Sequence, residues 1–123
     1  MSTTRDYARF CQMLLSEGEL DGVRVLSKEA VRALRTDCLN DLPHSGPLLP
    51  GESGFGLTFA ISKTTNEMGT KGTYSWGGAA GTRFWIDPEK ELFGIFMVNI
   101  LPHTGLHYGD EFRKLVYEAL QDR

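Results

Sequence analysis

Only two cysteines, Cys11 and Cys38, occur in the 123 residues, and they do not form a CxxC pair. A disulfide framework or a thiolate metal centre is therefore not the organising feature, and both are expected as buried thiols. Runs of Lys or Arg are missing, and the formal net charge is −3 from 13 basic and 16 acidic residues. Nucleic acid needs a basic stripe, so it is not an expected partner. No apolar run nears the roughly 20 residues that cross a bilayer, and polar residues follow Met1 where a signal peptide has its apolar core. The expectation is a cytoplasmic chain with no membrane partner.

Familiar catalytic spacings are missing too. None of the seven serines begins S-x-x-K; Ser2 meets Arg5 at the matching position, and a guanidinium does not give up its proton to act as a base. Ser53, in GESGF, comes nearest to G-x-S-x-G but has Phe55 where glycine is required. No nucleophile with its activating base is visible. His103 and His107 are four apart, yet Pro102, Gly105 and Gly109 oppose a helix there and no HExxH accompanies them. They read as exposed loop histidines, as does His44, and no metal or cofactor is expected.

What is present is ordinary globular material: 41% apolar and 24% charged residues, long enough for one domain over residues 1–123 with a core of its own. A first helix is signalled by Thr3 and Asp6 in capping-box spacing and by Tyr7, Phe10, Cys11, Leu14 and Leu15 at helical intervals, ending at Gly18. Asp21-Gly22 marks a tight hairpin turn, and Ser27 caps a second helix carrying Ala30, Val31 and Leu34. Residues 37–53 are rich in Pro and Gly and read as a surface loop, after which residues 54–61 alternate as a strand. Residues 62–72 are a polar hairpin connection. The final helix, residues 110–121, has Phe112, Leu115, Val116, Ala119 and Leu120 on one side, the pattern of a helix lying on a sheet.

Residues 73–99, TYSWGGAAGTRFWIDPEKELFGIFMVN, carry most of the functional information. They read as three antiparallel strands. The first, from Tyr74 through Trp76 to Gly81, is almost bare of side chains and forms an exposed, glycine-lined edge; the turn at 87–90 is set by Pro88. Backbone N–H groups unshielded by side chains can receive a developing oxyanion, although Gly and Ala in a strand also serve tight packing or a bulge.

The succession of residues 2–31, GFGLTFAI, the 73–99 stretch and FRKLVYEAL resembles the C-terminal half of the serine beta-lactamase superfamily, nearest its class C related esterases and penicillin-binding-protein-like hydrolases. The resemblance implies a partial beta-lactamase-like α+β fold: an antiparallel sheet of three to four strands, N-terminal helices, and a C-terminal helix packed on the sheet. It also implies that Trp76-Gly77-Gly78 stands where that family has K-T-G, with Trp76, Gly77, Gly78 and Ala79 binding substrate and the Ala79 N–H in the oxyanion hole. Trp76 in place of the motif's lysine removes a cation, which favours ester-like or uncharged acyl substrates. The family's S-x-x-K and Y-x-N have no counterpart in these residues.

Three readings follow. The chain is the C-terminal region of a serine hydrolase, inactive alone and completed by an N-terminal half; or a non-catalytic module that uses its sheet edge to bind a second copy or a complementing chain; or an enzyme using Tyr74 or Ser75 with a histidine. The sheet–helix core is expected from Phe84, Ile86, Phe93, Ile95, Met97, Phe112, Leu115, Val116 and Leu120.

Overall fold

The structure, a computed structural model, describes residues 2–40, 42, 49, 53–102 and 105–121. His44, His103 and most of the proline-rich loop lie outside them. Helix α1, Thr4–Leu15, starts at the expected cap: the Asp6 N–H donates to Thr3 Oγ1 at 3.1 Å and the Thr3 hydroxyl to Asp6 Oδ2 at 2.7 Å. It stops at Gly18, whose φ of +94° and whose approach to Leu26 O leave no room for a Cβ. Strands β1 (Glu19–Leu20) and β2 (Val23–Arg24) pair across Asp21 and Gly22, both at positive φ, as a two-residue hairpin turn requires. The Ser27 hydroxyl then accepts the Ala30 N–H at 3.1 Å and opens helix α2, Lys28–Leu34.

The main sheet has five antiparallel strands in the order β3 (Ser53–Phe55), β4 (Ala60–Ser62), β5 (Tyr74–Gly77), β6 (Arg83–Asp87), β7 (Leu92–Phe96). The extra strand arises because residues 54–61 are not one strand. The chain reverses at Gly56, whose N–H donates to Phe59 O at 2.9 Å, and a Cβ at Gly56 would collide with Leu34 O. With α1, α2 and the C-terminal helix α3 (Tyr108–Gln121) the fold is α+β, with helices on both sides of the sheet. No helix among the described residues is long and apolar enough to cross a membrane.

Register assigns the two faces. Phe84 lies opposite Ile95 and Ile86 opposite Phe93, and these side chains meet α1. There Tyr74, Phe84, Ile86, Phe59 and Ile61 close with Cys11, Leu14 and Val31 into the core, the Tyr7 ring sitting 5.1 Å from Phe84. The opposite face carries Trp85 and Asp87 and is covered by α3, with Phe112 rings 5.9 Å from Trp85 and 5.7 Å from Phe96.

This corrects the expected core. Phe84, Ile86, Phe93 and Ile95 do share a face, but α1 covers it rather than α3, so Met97, Phe112, Leu115 and Leu120 are exposed, Leu115 at 59%. Helical periodicity shows that a helix has an apolar side without saying which sheet face receives it. Cys38 is likewise exposed, whereas Cys11 is buried and its thiol pushed up to about 12 by desolvation.

The α3 face is fastened by a polar cluster. Asp87, 0% exposed, accepts the Thr70 N–H at 3.1 Å, the Thr70 hydroxyl at 2.6 Å, the Tyr117 hydroxyl at 2.8 Å, and the Glu89 and Lys90 N–H groups at 3.1 Å each. One carboxylate thus joins the 62–73 connection, the β6–β7 turn and α3. Burial works to raise its pKa, but hydrogen bonds from Thr70, Tyr117 and Lys90 outweigh that and hold it below the usual carboxylate range.

Candidate active site: the glycine end of β5

Strand β5 is not an edge strand: Tyr74 and Ser75 pair with Ile61 and Ala60 on one side, and the whole strand pairs with β6 on the other. The expected free edge is confined to its last residues. Trp76 and Gly77 pair only with Phe84 and Arg83, because β4 begins at Ala60 and the chain before it turns away. The strand also ends earlier than expected. Gly78 and Thr82 close a three-residue loop, the Gly78 N–H donating to Thr82 O at 2.8 Å and the Gly81 N–H to Gly78 O at 3.0 Å, with Gly81 at a φ of +88°. That is a type of hairpin loop in which glycine fills the left-handed position.

The glycines follow from this close approach. A Cβ at Gly78 would collide with Thr82 Oγ1, and one at Gly77 would lie 3.3 Å from Thr82 O. Ala79 occupies the second position of the turn, exposed, and its N–H makes no hydrogen bond among the described residues. Such a donor, held by the hairpin and not engaged by it, is available to an incoming oxygen.

A cavity of about 650 Å³ opens beside it, between the start of α1, the β5–β6 loop and the chain leaving β7. Trp76, Gly77, Gly78 and Ala80 form one wall, and Tyr7, Phe84 and Met97 much of the rest. Trp76 is 36% exposed and held edge-on against Phe55, ring centroids 5.3 Å apart at 76°. The structure therefore brings Trp76, Gly77 and Gly78 to the cavity wall and places Ala79 between two wall residues. Arg83 reaches the wall as well, but its guanidinium lies 3.6 Å from Asp110 on the α3 side.

Sequence reasoning missed Tyr7, Met97 and Asn99 as wall residues. Tyr7 was legible only as one member of a helical stripe, and its polar tip was the available signal. Burial, reinforced by the nearby Cys11 thiol, raises the Tyr7 phenol above its ordinary value, so at neutral pH it is a hydrogen-bond donor and not a base.

Other candidates do not assemble. Tyr74 is buried beneath α1, its phenol pushed up to about 12 by desolvation, which the Arg35 guanidinium 5.9 Å from the ring offsets only in part. Ser75 faces Trp85 on the other side of the sheet, and neither residue is hydrogen-bonded to a histidine among the described residues. His107 is exposed, 3.8 Å from Asp110, and no group of three His, Cys, Asp or Glu side chains suited to a metal occurs among the described residues.

An antiparallel sheet thus lies between helices, with a bare hairpin beside an open, mostly apolar cavity. A family model, Beta-lactamase, matches residues 1–118, and the chain belongs to that family. Protein Rv1367c of Mycobacterium tuberculosis is 42% identical over 112 residues, 82% of this chain and 28% of its own length. The esterase/beta-lactamase LipL of the same organism is 34% identical over 89 residues, 72% of this chain and 20% of its own. Among solved structures, a LovD6 mutant of simvastatin synthase from Aspergillus terreus superposes with a TM-score of 0.75 at 22% identity, over 99% of this chain and 34% of that one. A penicillin-binding protein homolog from Caulobacter crescentus gives 0.61 at 23% identity, over 76% and 24%. The chain thus spans between a fifth and about a third of the proteins it resembles.

Proposed function

We propose that the chain forms the sheet wall of a serine-hydrolase cleft, in which the Ala79 N–H receives the oxyanion of an ester or amide substrate and Trp76, Gly77 and Gly78 line its acyl group. The unengaged Ala79 donor beside the 650 Å³ cavity carries this reading. A fixed N–H pointed at developing charge contributes about 3–4 kcal/mol to catalysis. Trp76 and the other apolar wall residues suit an uncharged acyl group, since the nearest guanidinium, Arg83, is paired with Asp110. The 34% identical esterase/beta-lactamase supports an ester-directed reaction.

The attacking serine, its lysine and the tyrosine of Y-x-N come from polypeptide outside these 123 residues, and by itself the chain does not turn over substrate. Two unfilled surfaces support this. Among the described residues strand β7 pairs on one side only, and α3 leaves Tyr108 and Leu115 each 59% exposed along one flank. The test begins with the genomic surroundings: a segment encoding S-x-x-K and Y-x-N, in frame or adjacent, is co-expressed with this chain and hydrolysis of a short-chain nitrophenyl ester is measured. Ala79→Pro, which deletes the N–H in question, is expected to lower kcat by about 10²–10³ while leaving the circular dichroism unchanged. Ester hydrolysis by the isolated chain, or an Ala79→Pro complex as fast as the parent, overturns the reading. The edge of β7 also favours self-pairing of the isolated chain as the second reading, for which a dimer that separates only on unfolding is the measurement.

A further inference from the structure

A second cavity, of about 330 Å³, lies between β5, β6 and the first turns of α3, and its chemistry differs from that of the cleft. Ser62, Ser75, Trp85, Arg83, Asp110 and Arg113 contribute its polar wall. Both guanidiniums are fixed by packing. Arg83 lies over Gly109, where a Cβ would come 2.7 Å from its Cδ, and Arg113 stacks 5.4 Å above the Trp85 ring.

Burial lowers the pKa of the Arg113 guanidinium, and Tyr117, Asp110 and Asp87 around it offset this only in part. Among the described residues, Asp110 is the one carboxylate in the wall, and it lies 3.6 Å from Arg83. Arg113 makes no ion pair within 4.0 Å among the described residues, and its Nε is buried without a hydrogen-bond partner. Trp85, 1% exposed, presents a buried Nε1 that is unpartnered as well. Orphaned donors of this kind destabilise the fold unless an acceptor meets them. Hydroxyls of Ser62 and Ser75 add two more groups able to donate.

The geometry points to a binding site for a small carboxylate or phosphate anion in this α3-side cavity, held by Arg113 and Arg83 with Ser62, Ser75 and Trp85 around it. An arginine fork matches either anion in a bidentate way, and a cavity closed on one side by an indole excludes much of the water that would weaken it. This site differs from the hydrolase reading in that it does not use Ala79 and lies in a separate cavity, although Trp76, Gly77, Arg83 and Phe84 touch both cavities.

Both tryptophans line the second cavity and only Trp76 lines the cleft, so intrinsic fluorescence separates them. The Trp76→Phe protein, which emits from Trp85 alone, is titrated with sodium succinate and with inorganic phosphate at an ionic strength held constant with chloride. A saturable change in the millimolar range or below is expected with at least one of them. Succinate alone identifies a carboxylate ligand and phosphate alone a phosphoryl ligand, and each supports the site. Arg113→Met, added to that background, keeps the packing against Trp85 and is expected to raise the apparent Kd about tenfold or more. Arg83→Met provides an independent removal of charge with the same expected direction. No saturable response to either anion, or equal Kd values in both methionine variants and the parent, overturns the assignment.

Discussion

Asp87→Asn tests the reasoning about the polar cluster most directly. The carboxylate accepts five hydrogen bonds, three of them from backbone N–H groups that cannot rotate to find another partner. With the asparagine oxygen in the Oδ1 position, the Thr70 hydroxyl, Glu89 and Lys90 keep an acceptor, while the Tyr117 hydroxyl can turn to accept from the new amide. The Thr70 N–H then faces another donor and is orphaned in a fully buried site. One such orphan costs about 1–3 kcal/mol, and the bonds that remain lose their ionic character. The sum is about 3 kcal/mol, a large part of the about 5–15 kcal/mol that holds a domain together. In urea, with a slope of about 2 kcal/mol/M, the midpoint moves down by about 1.5 M.

The same substitution has a pH signature. The folded pKa of Asp87 lies below its unfolded value, so protons favour the unfolded chain. Its contribution is complete above about pH 4, the ordinary carboxylate value, and is lost as pH falls through the depressed folded value. Wild-type stability should therefore converge toward that of Asp87→Asn in acid, whereas at neutral pH the two differ by the full amount. Urea titrations followed by tryptophan fluorescence at neutral and acid pH measure this. Equal midpoints at neutral pH, or a gap that persists undiminished in acid, would refute the account of the cluster.

Phe84→Ala, which empties a site ringed by Tyr7, Phe10 and Phe59, is expected to cost about 3–5 kcal/mol, whereas Leu115→Ala on the open flank of α3 should fall within about 0.5 kcal/mol of wild type by the same titration. Gly94→Ala should destabilise by about 1–3 kcal/mol or more, because its Cβ would enter the indole of Trp85 across the strand pair; a thermal melt indistinguishable from wild type contradicts that packing. Thr3→Ala removes the α1 cap and is expected to lower stability by about 1 kcal/mol in chemical denaturation, with little change when Ser replaces Ala at the same position.

Local chemistry made much of the chain readable in advance. Thr3 and Asp6, Asp21-Gly22 and Ser27 each act within a few residues of themselves, so the cap, the hairpin turn and the second helix start are where the sequence places them. The meander of β5, β6 and β7 was legible for a related reason: its alternation is periodic and its turns are marked by Pro88 and glycine. The run of glycine and alanine after Trp76 could likewise be picked out by its lack of side chains, whereas Trp76, Gly77 and Gly78 were assigned to substrate by the family resemblance; a cavity lies against all three.

What spacing could not supply was which surfaces meet. The choice of α1 over α3 as the cover for Phe84 and Ile86, the reversal at Gly56 that adds β3 and makes β5 an interior strand, and the Asp87 cluster all depend on groups far apart in the chain. Asp87 and Tyr117 are thirty positions apart, and only the docking of α3 makes the carboxylate their common anchor. A side-chain pattern fixes how a segment curls and which flank is apolar. Its partner is set by the packing of the whole, where each apolar flank competes for a limited set of faces and each buried donor must find an acceptor.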